Sequence, residues 1–446
     1  MTQATGHNEL GDSDRPSSAT FGWKTLTLLG ASFTAAGCYG PWGLSLAIAG
    51  WPGALASLAL VAIFYFCLLQ CLAEMSAAIP SAGAGQAFAH EAFGPTAGFI
   101  AGAAALVQWI TGAAALAVLL GIYADQMFGG GPATTIVIAF AVLTVILLIE
   151  VGEGFALTLG ISLLALVGVS IFIVTSAMNL QPDSFAALRA PVASGAQIWM
   201  TLPFAVTFFI GLEGVPFAAE QTRDPGRNLP RGLLASFLIV ATFSAATLLL
   251  GPAGAGLGFL TGSDSPILLG LSSPTMRAGD WLIFAVNAAA VLALAVSLFG
   301  AIYACSRQAY AMGREGELPH FLSKMNRRGA PHWALIVPSL IGVVIALMAP
   351  IEKVIVIFVF SSCISYIMML SSFIGLRVRR SDLARPYRVP MGMVVCGVGI
   401  AVALLIVTSC VASDPFWSLM GGATFVTLLA YRLVTSLQSR RGSAKA

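Results

Sequence analysis

Glu213 is an acid set inside an apolar run. It sits in Gly211-Leu212-Glu213-Gly214-Val215-Pro216, preceded by Ile198 to Ile210 and followed by Phe217 to Gln221. A carboxylate in such a setting suits two tasks. It can pair with a substrate ammonium, or take up and release a proton. A third reading is structural, a carboxylate capping a helix that starts at Val215, where the helix dipole favours negative charge.

A second interruption lies upstream. The run Leu28 to Ala36 meets Gly37-Cys38-Tyr39-Gly40-Pro41-Trp42-Gly43 before Leu44 to Ala49 resumes. Three glycines and a proline in seven residues preclude a straight helix. A broken helix exposes carbonyls at the end of its first half and amides at the start of its second. Carbonyl ends attract cations and amide ends attract anions. Pro41 or Trp42 would open the second half, where proline fits a helix start. Tyr39, Trp42, Phe208 and Phe209 can offer ring faces to an organic cation. Gln108, Trp109 and Thr111 lie in mid-span, as do Asn287 and Ser297, and Ser361, Ser362, Ser365 and Tyr366 further on. Each of these polar residues suits either a ligand contact or a helix-to-helix hydrogen bond. Asp125, Glu150 and Glu153 stand at run ends, as solvated carboxylates do.

The elements that must position these residues follow from composition. Among 446 residues there are 22 basic and 19 acidic side chains, or 9% charged, and 58% are hydrophobic. A soluble chain of this length would carry roughly 110 charges. So little charge excludes a cytosolic enzyme, a nucleic-acid binder and a disordered chain. What remains is an all-α integral membrane protein. One helix crossing needs about 20 apolar residues. The charge-free stretch from Lys24 to Glu74 holds two, joined by a turn at Gly50-Trp51-Pro52-Gly53. Ten further charge-free windows, each about one helix long, bring the count to twelve spans. The interruptions then fall in spans one and six. Broken backbone at membrane depth occurs where it is buried in protein or lines a cavity. Matching breaks in two five-helix halves point to a transporter's binding site.

Twelve spans place both termini on one side. If that side is the cytoplasm, Arg189, Arg277 and Lys353 are the only basic residues outside, and the rest cluster inside. The positive-inside bias therefore sets the orientation, and the net charge of +3 carries no implication of nucleic acid. Expected segments are a cytoplasmic tail at 1–23, a five-helix repeat at 24–178, a second at 195–377, two extra helices at 389–437 and a tail at 438–446. The polar start has no basic region leading into a cleavable apolar core, unlike a signal peptide. A short interfacial helix is expected around His320 to Met325. The outer loop from Gly251 to Asp280, rich in Gly, Ser and Pro, is expected to be weakly structured. Seven cysteines, without metal-ligand spacing, read as packing residues. The four histidines lie outside the spans. No cofactor or metal is implied, and no oligomeric state. A membrane-embedded transferase would need polar catalytic residues clustered at one membrane face, and no such cluster is evident.

Four segments carry a family resemblance. They are the broken first span; Leu72-Ala73-Glu74-Met75 through Ile79-Pro80-Ser81-Ala82-Gly83 to Phe93-Gly94-Pro95 and Gly98-Phe99; Gly211-Leu212-Glu213-Gly214 through Ala218-Ala219-Glu220, Asp224-Pro225, Arg227-Asn228 and Pro230-Arg231-Gly232; and Ser306-Arg307-Gln308 through Met312-Gly313-Arg314-Glu315-Gly316, Leu318-Pro319 and Pro331. Over nearly its whole length the chain resembles the amino acid-polyamine-organocation superfamily of permeases. Its two breaks look most like the ethanolamine permease branch. The resemblance implies a five-plus-five inverted repeat (LeuT-like) with two additional helices and discontinuous spans one and six. It also implies import or exchange of a small amine, ethanolamine or an amino acid, usually coupled to protons. The family's substrate site maps onto Gly37, Cys38, Tyr39, Gly40, Trp42 and Gly43, and onto Phe208 through Gly211 to Glu213 and Gly214. Many relatives carry a lysine in span five in place of a sodium ion, whereas Phe155 to Met178 has no basic residue. Glu213 or Glu74 would then carry the proton, or a sodium ion would bind near span one and Ser297.

Overall fold

The computed structural model describes residues 21–443 apart from 82, 150–154 and 192, and side chains outside 155–159, 161, 162 and 433–443. Glu150 and Glu153, most of the amino-terminal tail and the last three residues lie outside the described set. Every named element is helical. In chain order these are α1 (Trp23–Thr34), α2 (Gly43–Ala78), α3 (Ala84–Phe93), α4 (Pro95–Phe128), α5 (Pro132–Ile149), α6 (Phe155–Met178), α7 (Gly195–Val206) and α8 (Pro225–Ala255). They continue with α9 (Leu257–Leu260), α10 (Pro266–Leu271), α11 (Asp280–Arg314), α12 (His332–Met348), α13 (Ile351–Arg379), α14 (Gly392–Ser413) and α15 (Pro415–Ser443). Seven of the described helices are long and apolar enough to cross a membrane, and two shorter apolar helices accompany them. Their surfaces expose Val137, Ile138, Val142, Leu340, Val344 and other large apolar residues. Water would not tolerate such a surface, and lipid would.

The punctuation of the sequence sets the breaks. After α1 the chain tightens into a 3-10 turn over Ala35–Tyr39, and Gly40 turns extended. The helical run of α2 is itself bent at Gly50, whose φ of +63° suits a residue without a side chain, and Pro52 follows at once. Here the first span ends and the second begins. Past α7, Gly211 takes a φ of +113°, and a 3-10 helix covers Leu212–Gln221. That start corrects the expectation of a helix beginning at Val215.

Two further expectations change. The segment Gly251 to Asp280 is more ordered than its composition suggests: α8 runs on to Ala255, α9 and α10 follow, and α9 packs on α2. The Gly262 amide donates to the Gly43 carbonyl at 2.9 Å. A Cβ on Gly43 would lie 2.5 Å from the Leu260 carbonyl oxygen, so only glycine admits this loop. Around His320 the helix is one 3-10 turn, His320–Ser323.

Two groups of helices face each other. The first and second spans pack on α7 and α8, while α4 packs on α5, α11 and α12. Between the groups, α13 contacts α2, α4 and α7. The two breaks thus sit at the centre of the bundle.

Candidate functional site

The breaks touch directly. A Cβ on Gly37 would sit 2.2 Å from the Thr207 carbonyl oxygen, and one on Gly211 would sit 2.7 Å from the Phe33 carbonyl oxygen. Each glycine therefore lets the backbone of one broken span reach the other. Phe33 also lies 3.1 Å from where a Cβ of Gly214 would stand.

The carbonyls of the first break already have partners. Gly37 accepts from the Gly40 amide at 3.0 Å. Cys38 accepts from Trp42 Nε1 at 3.2 Å, and Tyr39 accepts from the Tyr123 hydroxyl at 2.9 Å. The expected open cation-binding carbonyls are thus satisfied internally in this conformation. Tyr39 turns towards α6, where its hydroxyl donates to the Ala165 carbonyl at 2.9 Å. Its ring meets Tyr123 edge to face. Gly168 makes room for that hydroxyl, which a Cβ would approach to 2.3 Å.

Glu213 is the polar centre of the second break. Its Oε1 accepts from the Tyr366 hydroxyl at 2.7 Å and from Gln108 Nε2 at 3.0 Å. Its Oε2 accepts from the Gly211 amide at 2.9 Å. The carboxylate therefore caps the turn and also ties the break to α4 and α13. The Tyr366 and Tyr65 hydroxyls lie 3.2 Å apart, and Gln108 Nε2 reaches Tyr366 at 3.3 Å. Phe209 stacks on Tyr65 on one side and on Phe237 on the other. Glu213, Gln108, Tyr65, Tyr366, Phe208 and Phe209 are all buried. Among the described residues no cation pairs with Glu213. Every donor is neutral.

The other expected residues are placed as follows. Trp109, beside Gln108, is half-buried with its ring against Phe217. Ser365 is buried on α13 next to Tyr366. Asn287 is buried on α11, and its Oδ1 has no hydrogen-bond partner. Ser297 lies half-buried on the same helix. Glu74 stands elsewhere, at the end of α2, in a two-pronged ion pair. Arg377 Nε reaches its Oε1 at 2.9 Å, Arg377 Nη2 reaches Oε2 at 2.6 Å, and the Val389 amide adds 2.8 Å. The structure does not bring Glu74 to the breaks. Tyr65 was missed because it is flanked by Phe64 and Phe66 and reads as ordinary aromatic packing. A hydroxyl in the middle of an apolar span was the signal available.

This arrangement of broken spans around a buried polar cluster can be set beside known proteins. A family profile described as "Amino acid permease" matches residues 21–430. The chain belongs to the amino acid permease family. It is 23% identical over 437 residues to a branched-chain amino acid permease of Bacillus subtilis, covering 92% of this chain and 90% of that one. A polyamine transporter of Oryza sativa is 30% identical over 191 residues, 41% of this chain and 34% of that one. A manganese transporter of Eremococcus coleocola superposes with a TM-score of 0.58 at 14% identity, covering 97% of this chain and 99% of that one. The permease is therefore an all-α, multi-pass membrane protein of LeuT-like fold. It is a transporter of amino acids or amines and not an enzyme.

Proposed function

We propose that this permease carries a small amine, ethanolamine or an amino acid, across the plasma membrane by alternating access, in symport with a proton. The observation that carries this reading is Glu213, a buried carboxylate at a helix break held only by neutral donors. Such a carboxylate can meet a substrate ammonium or hold the coupled proton as access alternates. Relatives named for branched-chain amino acids and for polyamines have cargoes with one feature in common, an ammonium group. Gly37 to Gly43 and Phe208 to Gly214 form the walls of the substrate path, with Gln108, Trp109, Asn287 and Ser365 beside them. Twelve crossings with both termini in the cytoplasm fit the charge-free windows and the placement of basic loops. A sodium ion in place of the proton is the second reading. The unpartnered Asn287 Oδ1, on the helix that carries Ser297, favours it.

Proteoliposomes under imposed proton or sodium gradients test both readings, with labelled ethanolamine and a panel of amino acids. An inward proton gradient should drive accumulation, and Glu213→Gln should lower it roughly tenfold to hundredfold, the weight of lost charged hydrogen bonds. Unchanged uptake by that variant would remove Glu213 from the mechanism. Accumulation driven by sodium alone would favour the second reading, and accumulation under neither gradient would favour exchange.

A further inference from the structure

Away from the breaks, a cavity of about 440 Å³ opens between the end of α13 and the start of α14. Arg377, Arg388 and the segment Val389 to Val394 line it. Its volume falls in the range of ligand pockets, about 300–1,000 Å³. The expected orientation puts it at the cytoplasmic face.

The loop that builds it is held firmly. Arg385 Nη2 donates to the Leu376 and Arg380 carbonyls at 2.9 Å each. Pro386 packs on Gly226, where a Cβ would meet it at 2.4 Å. The Tyr387 hydroxyl donates to Gln70 Oε1 at 3.0 Å, and the Val389 amide donates to Glu74. Arg388 is exposed, without an ion pair or hydrogen bond among the described residues. Arg377 spends Nε and Nη2 on Glu74 and the Val389 carbonyl and keeps Nη1 unpaired. Its guanidinium lies against Gly392, where a Cβ would sit 2.8 Å from Nη1.

What adjoins the arginines is apolar. Met391 is 74% exposed and Val394 56% exposed, and Val398 and Leu405 continue the line along α14. At 100° per residue, Val394, Val398 and Leu405 share one face of the helix. Two guanidinium groups, that of Arg377 anchored and that of Arg388 free, thus stand at the head of an apolar, exposed stripe. Guanidinium groups match phosphate oxygens in geometry and charge. Basic pockets between membrane helices on the cytoplasmic side suit anionic headgroups. A soluble phosphate would use the arginines and have no use for the stripe.

We propose that this cavity binds the headgroup phosphate of an anionic phospholipid, with Arg388 and Arg377 Nη1 as donors and the exposed face of α14 as the track of its acyl chains. The site stands apart from Glu213 and does not depend on which substrate is carried.

Native mass spectrometry of the delipidated full chain tests it with phosphatidylglycerol and with phosphatidylcholine of the same acyl chains. Phosphatidylglycerol should be retained more strongly. Arg388→Ala should weaken that retention about fivefold, the weight of one basic side chain near an anionic lipid. Arg388→Lys should keep most of it. Arg189→Ala, on an exposed arginine of another loop, should change nothing. Equal retention of the two lipids, or an unaltered Arg388→Ala variant, would overturn the proposal. Displacement of phosphatidylglycerol by inorganic phosphate at matched concentration would also overturn it, in favour of a soluble ligand.

Discussion

Among the described residues two carboxylates are buried, Glu74 and Glu213, and their partners differ in kind. Glu74 faces Arg377 across a two-pronged ion pair, with Arg385 Nε at 3.4 Å and a backbone amide besides. Glu213 faces a tyrosine, a glutamine and one amide. The first charge is cancelled by the protein at all times. The second is solvated by dipoles alone, so an arriving ammonium or proton can complete it. Equal burial therefore goes with unlike surroundings: Glu74 ties α2 to α13 through charge, and Glu213 ties its break to α4 and α13 through neutral donors.

The sharpest way to break that contrast is to remove Glu74. Glu74→Ala leaves the part-buried Arg377 without its partner, and since loss of one member of a fully buried pair costs about 3–5 kcal/mol, the cost here should approach the lower end of that range. The expected outcome is a large fall in thermal stability in detergent, with uptake per folded molecule still proton-driven. Replacing both residues, Glu74→Met with Arg377→Met, should recover most of the stability, because apolar side chains of similar volume often replace such pairs at little cost. A Glu74→Ala variant that folds normally and loses proton coupling would instead put the coupling at Glu74.

The sequence reveals the two breaks more readily than the contacts between them. Gly37, Gly40 and Gly43 with Pro41, and Gly211 and Gly214 with Pro216, announce bent backbone by residue type alone, and the bends are there. The rarity of charge isolates Glu213 for the same reason. Gln108 and Tyr366 lie 105 and 153 positions from Glu213, on helices that are apolar nearly all round. Such helices carry no polar face to set their rotation, so no single-sequence pattern says which residue turns inward. Tyr39, one of four rings that can offer a face to a cation, has its hydroxyl in a notch at Gly168, because small residues on a distant helix decide where its side chain fits. Order in Gly251 to Asp280 was hidden for a like reason, since its anchor is a backbone carbonyl of Gly43.

Tyr366 probes the neutral side of the contrast. Its hydroxyl makes the shortest bond to Glu213, at 2.7 Å. Hydrogen bonds to charged groups contribute about 1.5–3 kcal/mol. Tyr366→Phe should therefore raise the KM for the amine roughly tenfold and lower the melting temperature by a few degrees, with the fold retained. An unchanged KM would mean that the hydroxyl serves packing alone.

Tyr65 lies one step further out and should show the smallest effect. Its hydroxyl reaches Tyr366 at 3.2 Å and does not touch Glu213. Its ring is fixed independently, stacked on Phe209 and edge to face with Phe64. Tyr65→Phe keeps those ring contacts and removes one bond between neutral groups, which contributes about 0.5–1.5 kcal/mol. Uptake should fall by roughly threefold, less than for Tyr366→Phe. If Tyr65 acts only through Tyr366, the double variant should be no worse than Tyr366→Phe alone. Multiplying effects would show instead that Tyr65 meets the substrate by its own route, and that the polar cluster around Glu213 extends onto the second span.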